Sequence, residues 1–95
     1  MGAATEVIGD FWSILIIREL LAGEKRFNEI EELLSEITSS TLSTRLKKLE
    51  EDGVVIRTQY ECIPPKVVYS LSDKGQDLKL VVAEIDRFGQ KWFKD

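Results

Sequence analysis

With 95 residues the chain has room for one small domain and not for two. Its 43% apolar content supports a core, while a net charge of −4 argues against a nonspecific polyanion binder. One Cys excludes an internal disulfide, and no apolar run suits a membrane span or a secretory signal, so a cytoplasmic protein with no membrane partner is expected.

Residues 3–22 read as a helix. Val7, Ile8, Phe11, Trp12, Ile14–Ile17, Leu20 and Leu21 cover nearly its whole circumference. A helix apolar on all sides is buried on several of them, and in a domain this small part of that surface is expected to face a second subunit. Gly23 is placed to end it. Lys25-Arg26-Phe27 is a short link, and Asn28–Leu34 a second helix. Its expected inward residues are Phe27, Ile30, Leu33 and Leu34, with Glu29, Glu31 and Glu32 outward.

The chain is organised around the stretch from Ile37 to Gly53. Leu42, Leu46 and Leu49 fall on one helical face, at i, i+4 and i+7. Thr38 or Ser39 can cap the start, and Gly53 can take the left-handed conformation that stops the helix. The other face carries Ser40, Thr44, Lys47 and Lys48, flanked by Ser43 and Arg45. The segment Ser39–Lys48 holds three cations and no acid. Short hydroxyls with Arg and Lys suit DNA phosphates and base edges. A solvated surface helix is the other reading of this stretch alone. A short helix, a tight turn and this helix form a helix-turn-helix pattern.

After Gly53 the period changes to two. Val54–Tyr60 and Lys66–Leu71 are rich in β-branched and aromatic residues, and Pro64-Pro65 mark the loop between them. A hairpin directly after a helix-turn-helix is the winged-helix arrangement, with Lys66 at the wing tip and Arg57 near its base. The expected fold class is therefore mostly α with a small β-hairpin (α+β). Ser72 can cap a last helix, Asp73–Phe93. Its stripe of Leu78, Val81, Val82, Ile85, Phe88, Trp92 and Phe93 exceeds what so small a domain covers, which points to a dimer. Packing of that stripe on the first helix of the same chain is the alternative. No His, no phosphate-cradling glycine loop and no metal-ligand cluster are present, so no enzyme activity, cofactor or metal is expected.

Gly9 with Trp12, Leu15–Leu21, Arg26-Phe27-Asn28-Glu29-Ile30, Leu42 with Arg45-Leu46, and Leu49-Glu50-Glu51-Asp52-Gly53 follow one another at a recognisable spacing. Pro64-Pro65-Lys66-Val67, Tyr69-Ser70-Leu71 and Gly75 complete the pattern, which resembles the HxlR-type winged-helix transcriptional regulators, relatives of the MarR group. The resemblance implies a homodimeric regulator on a pseudo-palindromic DNA operator, with a recognition helix over residues 39–52, a wing over 60–67 and dimer contacts from the terminal helices. A winged-helix module that binds only protein is the competing reading.

Residue pattern and resemblance together nominate Arg26, Ser39, Ser40, Thr41, Ser43, Thr44, Arg45, Lys47, Lys48 and Lys66 for DNA. They nominate Val7, Phe11, Leu78, Val82, Ile85, Phe88 and Trp92 for the dimer interface. Two departures from the family stand out. Members usually have Lys where Phe11 stands, and oxidant-sensing members carry a Cys before the first helix, where this chain reads Met1-Gly2-Ala3-Ala4-Thr5. Cys62, in the wing loop, reads as an incidental loop thiol, with a redox thiol as the functional alternative.

Overall fold

The computed structural model describes residues 11–92. Three helices come first: α1 (Phe11–Leu21), α2 (Phe27–Leu33) and α3 (Ser39–Glu51). An antiparallel hairpin follows, β1 (Val55–Tyr60) with β2 (Lys66–Leu71), then a short α4 (Asp73–Gln76) and the longer α5 (Lys79–Trp92). Among the described residues no helix is long and apolar enough to cross a membrane.

α3 forms where its local signals put it. The Thr38 hydroxyl accepts a hydrogen bond from the Thr41 N–H at 3.1 Å, satisfying one of the unpaired first-turn donors. Leu42, Leu46 and Leu49 are buried against Ile16, Ile17 and Leu20 of α1, Ile30 of α2 and its C-cap Leu34, and Val54 and Val55 at the hairpin base. Burying each such side chain contributes about 1.5–3 kcal/mol, which makes this stripe the main anchor of the helix. The helix stops at Gly53, which adopts φ +77°, a left-handed conformation that costs a residue with a Cβ.

The hairpin pairs in register from Val55↔Leu71 to Tyr60↔Lys66. The link before α2 is extended at Lys25 and Arg26, and it adds a rung. Lys25 and Tyr69 exchange backbone hydrogen bonds of 3.0 and 2.7 Å. This ties the α1–α2 connection to β2, so the wing is fixed to the helix-turn-helix rather than hanging from α3 alone.

Three expectations need correction. The single helix expected over Asp73–Phe93 is two helices with a turn at Asp77 and Leu78, and Phe93 lies outside the described residues. Ser72 does cap the first of them, its hydroxyl accepting the Gly75 N–H at 3.1 Å. A close packing contact lies just before the break. Gly75 presses on the Val54 carbonyl so closely that an added Cβ would sit 2.4 Å from its oxygen. The chain then tightens through a Leu78 N–H to Gly75 carbonyl bond of 3.0 Å before α5 starts.

Leu33, expected inward, is 54% exposed. α2 is only seven residues long, and Ile30 and Leu34 take its places in the core. Val82, nominated for the dimer interface, is 4% exposed and belongs to the chain's own core. Part of the last helix's stripe thus packs within the chain, as the alternative reading held. Val81, Ile85, Phe88 and Trp92 of the stripe do not and are exposed, as is Leu80 beside them.

Candidate nucleic-acid interface

With its leucines buried, α3 turns its polar face outward. Ser39, Ser40, Ser43, Thr44, Lys47 and Lys48 are exposed, and Thr41 and Arg45 are half-buried. The hydroxyls do different work. Thr41 belongs to the cap, accepting from the Thr38 hydroxyl at 2.9 Å. Thr44 donates back to the Ser40 carbonyl at 2.9 Å, one turn earlier. Ser39 donates to the Glu31 carboxylate and so ties the start of α3 to α2. Ser40 and Ser43 are left as the small exposed hydroxyls of the middle of the face.

The cations also separate. Lys47 projects from the exposed face. Lys48 pairs with Asp52 at 3.0 Å, one turn further on, so its charge is partly neutralised within the helix. Glu31 and Asp52 thus touch the residues of this face, Glu31 through Ser39 and Asp52 through Lys48. The Lys48–Asp52 spacing of i, i+4 was a usable signal; the Ser39–Glu31 contact joins two helices and gave none.

The wing supplies the other cation. Lys66 faces Tyr60 across the hairpin, and its ammonium lies 5.7 Å from the ring centroid. A cleft of about 710 Å³ opens between the start of α2 and this end of the hairpin. Arg26, Asn28, Tyr60 and Lys66 line it together with Glu24, Glu29 and Val68. Arg26 and Lys66, far apart in sequence, therefore share one depression. Arg26 is held there by its backbone N–H, which donates to the Glu29 carboxylate at 2.7 Å. Cys62 is exposed at the wing tip, its thiol donating to the Pro64 carbonyl at 3.1 Å.

The nominated dimer residues differ in exposure, and Val7 lies outside the described residues. Phe11 is exposed at the start of α1, edge-on to Trp12 with centroids 5.4 Å apart. Ile85 and Phe88 line an apolar depression on α5 with Leu80 and Val81, and Trp92 is exposed beyond it. Leu78 is half-buried against the core. Glu84 and Arg87 rim that depression as an ion pair of 2.9 Å, whose hydrogen bond and charge hold the Glu84 carboxyl below its ordinary value. Arg18 on α1 binds Asp86 at 2.9 Å and steadies α5 against the body.

A helix-turn-helix whose second helix shows hydroxyls and cations, with a hairpin fixed at its side, is the architecture of a winged helix-turn-helix DNA-binding protein. The chain belongs to the HxlR-like helix-turn-helix family, whose model matches residues 7–95. The uncharacterized HTH-type transcriptional regulator YdeP of Bacillus subtilis is 39% identical over 87 residues, covering 92% of this chain and 68% of that protein. The HTH-type transcriptional regulator YodB of Bacillus subtilis is 37% identical over 92 residues, covering 97% and 82%. Among solved structures, the redox regulator HypR in its oxidized form superposes with a TM-score of 0.90 at 36% identity, over 93% of this chain and 91% of that one. A MarR-family regulator from Porphyromonas gingivalis reaches a TM-score of 0.90 at 28% identity, over 95% and 88%. The protein is a helix-turn-helix transcriptional regulator, a class that acts by binding DNA, and these relatives are regulators rather than enzymes.

Proposed function

We propose that this regulator binds a pseudo-palindromic operator as a homodimer, with α3 in the major groove and the wing on the flanking backbone. The observation that carries the DNA reading is the division of α3. Its leucines are all buried, and its outward face presents Ser40, Ser43, Lys47 and Lys48 beside a wing bearing Lys66. Hydroxyls and amines of that kind reach base edges, while Lys66 and Arg26 approach phosphates. Ser39, Thr41 and Thr44 support the surface, through the Glu31 tie, the cap and the bond back to the Ser40 carbonyl, and Arg45 flanks it half-buried. The acidic body lowers nonspecific attraction, so discrimination rests on this face.

The dimer reading rests on α5. Five large apolar side chains, Leu80, Val81, Ile85, Phe88 and Trp92, stand exposed on one helix of a small domain. A contiguous apolar face of this kind marks an interaction surface, and a two-fold partner with the same face covers both at once. The whole chain would then be one winged-helix domain with dimerisation helices at its ends. Selection of binding sites from random duplexes tests both parts. An inverted repeat with half-sites about one helical turn apart, or a multiple of it, is expected. Selection that enriches no sequence leaves a protein-binding module instead.

A further inference from the structure

We infer that Ser72 and Lys74 form a latch that fixes α5 relative to α3 and thereby sets the half-site spacing the dimer accepts. The inference rests on the dimeric DNA-binding reading above. Its starting point is the exit from α3, formed by the C-cap Asp52 and the two residues after it, Gly53 and Val54. Residues of one short turn hold three successive carbonyls there. The Lys74 ammonium donates to the Asp52 carbonyl at 2.7 Å. The Ser72 hydroxyl donates to the Gly53 carbonyl, and the Ser72 N–H to the Val54 carbonyl at 3.0 Å. Gly75 lies flat on the same Val54 carbonyl, with no room for a Cβ. A lysine charge at a helix C-terminus is also favoured by the helix dipole.

This turn is α4, and only Asp77 and Leu78 separate it from α5. The chain therefore leaves the recognition helix, runs out and back through the wing, and returns to that helix's end before starting the dimer arm. In a two-fold dimer joined through α5, the separation of the two recognition helices depends on the angle between α3 and α5 within each subunit. DNA demands a separation of whole helical turns. Val82 in the core and the Arg18–Asp86 pair hold α5 further along, so loss of the latch softens the angle without freeing the helix.

Lys74 is exposed and its methylenes lie over Gly53, which makes Lys74→Met a folded variant that keeps the packing and loses the donor. The test uses the full chain on the selected operator, on operators lengthened or shortened by one or two base pairs at the centre, and on a single half-site. Wild type is expected to bind the off-length operators more weakly. Lys74→Met should leave half-site affinity and thermal midpoint unchanged, while its penalty for off-length operators shrinks by roughly two- to thirtyfold, the range over which linking residues alter coupling. Ser72→Ala should act in the same direction, and Lys74→Arg should restore the wild-type profile. A Lys74→Met profile identical to wild type overturns the latch and leaves the dimer reading standing. An equal loss on every duplex, half-site included, overturns it too, since Lys74 would then be a plain DNA contact. A wild type indifferent to spacing sinks the dimer reading and the latch together.

Discussion

The Lys48 ammonium lies 3.0 Å from the Asp52 carboxylate, on the same side of α3 and one turn apart. Under the proposal that α3 faces DNA, two consequences follow. Lys48 offers DNA less than a full charge, and Asp52 places a negative group near the backbone. Lys48 is more than half exposed, so solvent screens the pair and it contributes only about 0–1 kcal/mol to stability, with the Asp52 side chain 20% exposed. Asp52→Asn should therefore fold normally and bind the operator more tightly at low salt. Lys47→Ala should weaken binding and reduce the salt slope by about one, more than Lys48→Ala does. Titrations of the three variants across a salt series decide it. Unchanged affinity in both lysine variants would remove α3 from the DNA.

The apolar face of α5 gives a second expectation, about assembly. Ile85 is 43% exposed in a single chain, so an aspartate there stays in water as long as the chain is alone. In a dimer closed over that face the same carboxylate is buried without a partner, at a cost of several kcal/mol. Ile85→Asp should sediment as a folded monomer, with helix content like wild type by circular dichroism. Val82→Asp, in the core, should unfold instead. Sedimentation of wild type as a monomer at micromolar concentration would end the dimer reading.

These two helices also show what a sequence makes legible. α3 could be read because its signals are local: three leucines at helical spacing, Thr38 before them and Gly53 after them. The hairpin could be read because β-branched residues cluster on either side of Pro64-Pro65. The division of the last helix could not. The helical period runs on through Gly75 and Asp77, and the close approach of Gly75 to the Val54 carbonyl, far off in sequence, leaves no mark in it. Val82 and Ile85 share one apolar stripe, and only the placement of α1 decides which of them is inside. The cleft that unites Arg26 with Lys66 is likewise a product of the fold, since the Lys25–Tyr69 bridge brings those two regions together. Leu33 was misassigned because a stripe does not reveal how short its helix is.

The wing loop carries a third prediction. Each proline fixes its own φ, and Pro65 biases Pro64 toward extended conformations. Lys66, directly after them, is positioned by that stiffness and by its place over Tyr60. Replacing both prolines with glycine should raise the entropy lost on binding and lower operator affinity. The preferred sequence should stay the same, because phosphate contacts position and base contacts specify. Selection on random duplexes with the double variant checks this. A changed consensus would mean that the wing reads bases.

Cys62 allows the position of the wing to be tested with chemistry, whether or not the thiol senses anything. It is exposed at the tip, close in sequence to Pro64 and Lys66, and it is the chain's only cysteine, so a thiol reagent labels one site. Iodoacetamide and iodoacetate add groups of nearly equal size, but only the second adds a negative charge. If the wing lies along the DNA backbone, the added carboxylate meets phosphate across a distance shorter than the screening length of about 10 Å at 0.1 M salt. The carboxymethylated protein should then bind the operator more weakly than the amide-labelled one. The difference should fade as salt is raised, and Cys62→Ser should be indifferent to both reagents. Mass spectrometry confirms the labelling before each titration. Equal affinities for the two labelled forms at low salt would place the wing tip away from the phosphates, and would also argue against an oxidised, charged Cys62 releasing the DNA.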